Sequence, residues 1–421
     1  MRECGGRGAL AERRYPFHGP GRLQRVADVV VLLFTALAAL SFLLGVSSLA
    51  GGVRFRMRAR GSAAKGWPVH TPPAAVIVAC KGEDPGLARN LVALLEQDYP
   101  EYRVIFALDD FHDEAHAVIK NAALESRVPV SVVAATPVRN ATGKAAALIR
   151  ATKEVTEKDH LIAFMDSDAR PPRRWLRDLA APLSAATVGA TTTYRWYTHD
   201  RSLASATRAA WNAAGTNLLF NPNVNFAWGG SYAIRRETFE RTYVAAKWGS
   251  ALSDDMVVTQ AVKGADLRVM YVPQATVLTE EPADWRSVIE WTTRQTVMMR
   301  AYDPRVTRYA GLAYATISGS IDLGIAFLAV GFLADPAYFL PALLLLAHVP
   351  FTAAKAALRL VTFRKITGNR LGPIGAFVLG SLVTPWLTLY ALNVARKVRY
   401  LSWRGTVYEL AGPAPIRVVR R

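Results

Sequence analysis

Three pairs of acids stand out for what they could do together. Asp166-Ser167-Asp168 closes the apolar run LIAFM, Asp109-Asp110 closes RVIFAL, and Asp254-Asp255 opens an amphipathic stretch after Leu252-Ser253. Carboxylates at i and i+2, on a chain leaving a sheet, can both face one ligand as the chain turns. Hard oxygen ligands of this kind suit Mg2+ or Mn2+, and such ions in turn hold a diphosphate. Each pair also has a plain structural use. Asp166 and Asp168 could form a solvated turn capping the helix after Pro171-Pro172, and Asp254 and Asp255 could cap a helix N-terminus. An isolated DxD is more often such a turn than a site. The balance shifts here because all three pairs fall at strand ends or helix starts of one alternating pattern.

The stretch LDDFHDEAH (108–116) holds four acids and two histidines. A zinc-protease helix needs glutamate directly after its first histidine, but Asp113 follows His112; the reversed order fails because Ala115 precedes His116. We read His112 to His116 as a polar loop running into a helix with solvated side chains. Only Asp109 and Asp110 are expected to face a ligand.

The elements that must position these acids are legible between residues 74 and 280. Apolar, β-branched runs occur at AAVIVAC (74–80), RVIFALD (103–109), around VSVVAA and at LIAFMDSD (161–168). Amphipathic stretches such as PGLARNLVALLEQDY and GKAAALIRATKEV lie between them. Strand–helix alternation implies a mostly parallel, doubly wound α/β sheet, with ligands gathered at the carboxyl ends of its strands.

Composition points beyond a soluble enzyme. Of 421 residues, 51% are hydrophobic and 20% charged, too apolar a balance for an ordinary soluble chain. The net charge of +18 reads as attraction to lipid headgroups or a phosphorylated substrate. No nucleic-acid-reading signature accompanies it, so no nucleic acid partner is expected. Two cysteines, Cys4 and Cys80, form no disulfide framework. Residues 1–25 read as a disordered basic tail and 26–50 as a transmembrane helix, with a cleaved signal peptide as the lesser alternative. A basic linker (51–73: Arg54, Arg56, Arg58, Arg60, Lys65) follows. After the α/β domain (74–280) come an amphipathic interfacial helix (281–308) and about three transmembrane or re-entrant helices (309–395). A basic tail (396–421) closes the chain. The loop bearing Arg359, Arg364, Lys365 and Arg370 reads as cytoplasmic.

Together the pieces CKGEDPGL (80–87), Asp109-Asp110, GKAAALIRA (143–151), DSDA (166–169), AWGGSYAIRR (227–236), LSDDM (252–256) and SWRG (402–405) resemble a membrane-bound family-2-type glycosyltransferase. They are most similar to the ceramide glucosyltransferase and hopanoid-glycosyltransferase group. The resemblance implies a GT-A-type, Rossmann-like domain that moves a single sugar from a nucleotide-sugar, a UDP-hexose, to a lipid hydroxyl with inversion. It implies that Lys81, Gly82 and Asp84 serve the nucleotide base and that Asp110, with Asp109 beside it, contacts the nucleoside. It further places Lys144 and Gly230 near the donor, Asp166 on the nucleotide side, Asp168 on Mg2+ or Mn2+, and Asp255 as the general base. Trp403 and Arg404 belong to the tail segment near the site, and Asp254 lies toward the acceptor. The family's interfacial (Q/R)xxRW motif is altered. Arg294 is in register as the diphosphate clamp, Gln295 stands where tryptophan is usual, and Trp291 lies one turn earlier.

A nucleotide-sugar is cytosolic, so the catalytic domain is expected on the cytoplasmic face of the membrane. Three full crossings after residue 310 would carry the tail to the other side. Either one run, such as 337–357 with Pro341 and Pro350, is re-entrant or interfacial, or the tail is external and its likeness fortuitous; the first is the expectation taken here. A processive polysaccharide synthase and a membrane-bound metal-dependent hydrolase are the competing readings.

Overall fold

The structure, a computed structural model, describes residues 22–64, 66–136, 138, 140–369, 371–410 and 416–420. Residues 1–21 of the expected basic tail, Cys4, Lys65 and Arg370 lie outside these.

The central domain holds nine strands: β1 (Ala74–Ala79), β2 (Tyr102–Leu108), β3 (Val130–Ala134), β4 (Leu161–Asp166), β5 (Val188–Thr192), β6 (Arg195–Tyr197), β7 (Ser231–Arg235), β8 (Arg268–Tyr271) and β9 (Val277–Thr279). Seven of them form one sheet in the order β3-β2-β1-β4-β7-β5-β8, parallel throughout except for β7, which runs against both neighbours. β6 and β9 pair separately. Alternation within each strand explains the two-sided burial. Val76, Val104, Phe106 and Met165 pack on one face with Leu87, Leu91 and Leu94 of the helix Leu87–Leu95. Ile77, Ile105 and Phe164 pack on the other with Ala145, Leu148 and Ala151 of the helix Gly143–Thr152. The expected mostly parallel α/β architecture is present, as a mixed sheet with the single antiparallel strand β7.

Four helices are long and apolar enough to cross a membrane: Val29–Ser62, Pro304–Leu333, Pro336–Thr367 and Ile374–Lys397. The first lies within one helix, Arg22–Ala64, so the basic stretch from Arg54 to Arg60, expected as a linker, is helical. Its Arg, Met and Ala residues are strong helix formers, and nothing from Gly52 to Ala64 is proline. The helix expected to be interfacial is Trp285–Tyr302, opened by an Asp284–Ser287 capping box and closed before Pro304.

The helix Ile374–Lys397 touches the α/β domain at several points along its length, besides packing on the other apolar helices. His199 Nε2 meets the Pro373 carbonyl at 3.2 Å just before its start. A Cβ on Gly380 would lie 2.7 Å from the Ala206 backbone, so only glycine permits that approach. Trp211 Nε1 donates to Thr388 Oγ1 at 3.0 Å, and Arg300 donates to the Ala395 carbonyl near its end. The chain then forms a small sheet of β10 (Tyr400–Trp403), β11 (Thr406–Glu409) and β12 (Arg417–Arg420). Leu401 and Tyr408 of that sheet pack on Leu252 of the domain.

Candidate active site

The register of the sheet sets the site. Ala79 at the end of β1 lies beside Ala107 of β2 and Asp166 of β4, so the loops that follow all three open together. The β1 loop turns through Gly82 in the left-handed region at φ 67°, where a side chain would be disfavoured. Its amide donates to Asp113 Oδ1 at 2.8 Å, and Asp113 also caps the helix Glu114–Leu124. Lys81 Nζ reaches Asp109 Oδ2 at 2.6 Å. Asp84 accepts from Ser167 Oγ at 2.7 Å and from Arg404 Nη2 at 2.8 Å, while Arg404 also donates to the Lys81 carbonyl. Residues 81–84 are thereby tied to the DSD turn on one side and to the C-terminal tail on the other.

The DSD turn does not cap the helix Trp175–Ala180, whose N-cap position is Arg174 with no side-chain cap bond. Its two carboxylates face two cations instead. Asp166 accepts from Lys144 Nζ at 2.7 Å and from Arg195 Nη2 at 2.6 Å. Asp168 is held by both Arg195 terminal nitrogens, at 2.7 and 3.0 Å. Burial works against ionising Asp166, but Lys144 and Arg195 overcome it and its carboxyl lies below the usual range. For Asp168, burial prevails over Arg195 and the carboxyl lies above it. Arg195 is itself built in. Its guanidinium meets Tyr197 Oη at 3.0 Å and lies 4.9 Å from the Trp228 ring, and its carbonyl accepts from Asn212 at 2.9 Å.

Lys144 links the DSD turn to the last acidic pair. Besides Asp166 it donates to the Gly229 carbonyl at 3.1 Å and lies 3.5 Å from Asp254 Oδ2. That oxygen is buried with no hydrogen bond among the described residues. Burial, reinforced by Asp255 and Asp166 and opposed by Lys144, raises the Asp254 carboxyl to about 7. Asp255, the more accessible of the two, accepts from the Gly229 amide at 3.1 Å, the Met256 amide at 2.7 Å and Ser253 Oγ. The glycines between them leave no room for a side chain. A Cβ on Gly230 would stand 2.1 Å from the Trp228 ring and 2.6 Å from Asp166.

Arg294 completes the rim from the interfacial helix. It has no ion pair among the described residues, and its guanidinium faces the Trp403 ring at 5.9 Å. Burial, with Arg195 and Arg404 nearby, lowers its pKa, yet a guanidinium stays charged. Trp291 makes edge contacts with Tyr197 (5.5 Å between centroids) and Trp211 (5.2 Å). Gln295, partly buried one turn later, makes no hydrogen bond among the described residues.

Most of the residues singled out in the sequence converge. From Asp109 through Lys81, Arg404, Asp84 and Ser167 to Asp166, and on through Lys144 and Gly229 to Asp255, each contact leads to the next. Asp110 sits apart at the exposed rim, bonded to the His112 amide at 2.7 Å. His112, exposed as expected with a 99% accessible side chain, stands at the surface beside Lys81, Gly82, Asp113, Glu114 and Arg404. It stands there because Asp113, as both helix cap and acceptor for Gly82, draws the 112–114 turn onto the β1 loop. His116 bonds the Phe111 carbonyl instead. Arg195, Ser167, Asp113 and Trp228 escaped the sequence reading. Trp228 lies inside AWGGSY and could have been found there; Arg195, on a three-residue strand, gave no signal.

A model of glycosyl transferase family 21 matches residues 33–414. The chain belongs to that family. It is therefore a glycosyltransferase. No curated protein matches the chain. Among solved structures, this family 21 chain is similar to a mannosyltransferase from Pyrobaculum calidifontis in complex with GDP-Man and Mn2+. The two are 21% identical, covering 86% of this chain and 98% of that one, with a TM-score of 0.47. S. aureus TarS 1-349 in complex with UDP-GlcNAc is 13% identical over 81% of this chain and 98% of its own, with a TM-score of 0.35. A mycobacterial protein is 14% identical over 56% and 79%, with a TM-score of 0.37.

The donor chemistry of the DSD turn fits a divalent cation. An ionised carboxylate offers about four acceptor positions, and Arg195 takes only part of those on Asp168. Among the described residues no group of three or more His, Cys, Asp or Glu side chains is disposed to hold a metal. A cation here thus needs oxygens from a bound diphosphate, as Mg2+ sites commonly do.

Proposed function

We propose that this family 21 enzyme transfers one sugar from a nucleotide-sugar, a UDP-hexose, to the hydroxyl of a membrane lipid, inverting the anomeric carbon. A ceramide-, hopanoid- or diacylglycerol-like lipid fits this reading. The supporting observation is the unbroken run of contacts from Asp109 to Asp255, beside a lane of aromatic rings leading in from the apolar helices.

Lys81, Gly82, Asp84, Asp109 and Arg404 line the nucleoside end, with Asp110 at its rim. Lys144, Arg294 and Trp403 face the diphosphate, and Gly229-Gly230 give it a floor without side chains. Asp168, with Asp166, would hold Mg2+ or Mn2+, which when bound offsets charge on the departing diphosphate. Asp255 takes the proton of the acceptor hydroxyl as its oxygen bonds the anomeric carbon. The bond from that carbon to the diphosphate oxygen breaks, and the nucleoside diphosphate leaves with the electron pair. Asp255 suits the role better than Asp254 because its carboxylate is accessible and fixed by two amides. Asp254, buried against Lys144, positions that lysine on the acceptor side.

The acceptor's route is read from the rings. Thr388 on the helix Ile374–Lys397 bonds Trp211, Trp211 meets Trp291, Trp291 meets Tyr197, and Tyr197 bonds Arg195 of β6, which grips the carboxylates of the DSD turn. Trp291 thus stands in for the tryptophan that Gln295 replaces. We also read the catalytic domain as cytoplasmic. The helices Val29–Ser62, Pro304–Leu333 and Pro336–Thr367 cross the membrane; Ile374–Lys397, bound to the domain at both ends, lies along its face. This assigns the non-crossing segment to 374–397 rather than 337–357.

The test is direct. Purified protein with Mg2+ or Mn2+ is offered a panel of nucleotide-sugars and a membrane lipid extract, and products are read by mass spectrometry. One sugar per lipid is expected. Failure to consume any nucleotide-sugar would remove the reading, and products of many sugars would favour a processive enzyme.

A further inference from the structure

Two cations on the helix Val349–Thr367 face inward and meet no acid among the described residues. Arg359 is only 7% exposed. Its Nη2 donates to Asn217 Oδ1 at 2.6 Å, and the other titratable groups around it are the phenols of Tyr271 and Tyr314 and the Lys355 ammonium. Lys355, one turn earlier, donates to Ser48 Oγ at 2.6 Å. Its stem packs on Gly52, where a Cβ would stand 3.1 Å from Lys355 Cγ. Both partners are neutral dipoles, and the two cations repel each other across a single helical turn. Arginine does not shed its charge, so burial leaves a standing demand for an anion.

The position of the pair says which anion. Asn217 belongs to the catalytic domain, while Ser48 and Gly52 belong to the N-terminal apolar helix. The pair therefore stands where the apolar helices meet the domain, which is the level of lipid headgroups if those helices span the membrane. Arg58, farther along the N-terminal helix, donates to the Phe220 carbonyl at 3.3 Å and adds a third cation on the same side of the domain.

We propose that Lys355 and Arg359 bind the phosphate of an anionic membrane lipid in the leaflet facing the catalytic domain. Its headgroup bridges the N-terminal helix, the helix Val349–Thr367 and the Thr216–Leu219 segment of the domain. The proposal rests on reading the apolar helices as membrane spans, and not on glycosyl transfer, because the site is separate from the carboxylates.

The experiment is native mass spectrometry of the full chain in detergent, without donor, titrated with phosphatidylglycerol, diacylglycerol or inorganic phosphate. Wild type is expected to retain one phosphatidylglycerol at concentrations at least tenfold below those needed for diacylglycerol. K355Q is expected to lose that preference about tenfold while keeping its transferase activity in neutral detergent. An R305Q/R308Q control, with exposed cations on another helix, should keep it. Equal retention of diacylglycerol by wild type, or unchanged retention by K355Q, overturns the proposal. So does displacement of the lipid by millimolar inorganic phosphate, which would make the site one for free anions. Loss of transfer with lipid binding intact would count against the catalytic reading alone.

Discussion

Asp255 and Asp254 are neighbours with opposite surroundings, and their substitutions should separate. Asp255→Asn keeps the shape but can accept from only one of the two amides, which donate to different oxygens, and it cannot take a proton. Turnover should fall by about 10²–10⁴-fold, the usual worth of a general base, with nucleotide-sugar binding retained. Wild-type turnover by that variant would remove Asp255 as the base. Asp254 leaves a mark on stability instead. Its folded carboxyl titrates near 7, well above the ordinary carboxyl value. Between about pH 4 and 7 the folded chain thus binds more protons than the unfolded one, so stability falls as pH rises through that window and levels off above it. The apparent Tm of wild type should drop between pH 5 and 7.5, and Asp254→Asn should flatten the difference. Arg195 gives a third test. With Lys144 it already matches the two charges of the DSD turn, so Mn2+ should bind weakly until a nucleoside diphosphate adds its oxygens. Arg195→Gln should raise Mn2+ affinity in the absence of nucleotide, read by electron paramagnetic resonance. Tight Mn2+ binding by wild type without nucleotide would contradict this.

At the scale of elements, the strands were the most legible part. β1, β2 and β4 are two-sided apolar runs, and their polar ends announced where ligands gather. The glycine-lined floor was visible as a motif, though its reason, a tryptophan ring against Gly230, is a tertiary contact. Arg195 was hidden because nothing local marks a three-residue strand whose side chain matters only across the fold. The tail was half legible. SWRG was noticeable, but that Arg404 would grip Asp84 depends on a small sheet seated on Leu252. Arg404→Ala should weaken donor binding about tenfold, near 1.4 kcal/mol, measured by calorimetry. An unchanged Kd would reduce the tail to a packing element.

At the scale of the molecule, the parity problem posed by three apolar runs dissolves if one helix never crosses. Single cysteines at Leu124, Ala334 and Ser402 in sealed vesicles should report this through a membrane-impermeant maleimide. Leu124→Cys and Ser402→Cys should label from the same side, and Ala334→Cys from the other. Labelling of Ser402→Cys from the side of Ala334→Cys would put the helix Ile374–Lys397 back across the bilayer. The sequence supplied the lengths of the apolar runs, but only side-by-side packing of helices distinguishes lying along a surface from passing through it.

The clasp between Lys81 and Arg404 joins positions 323 apart in the chain. During synthesis the sheet can close long before that arginine leaves the ribosome, so an unfinished polypeptide has a folded scaffold and an unwalled nucleotide cleft. Competence to use the donor arrives only with the last strands, after every apolar helix has been made. On the function proposed above, donor use would begin only once the apolar helices that present the acceptor are in place.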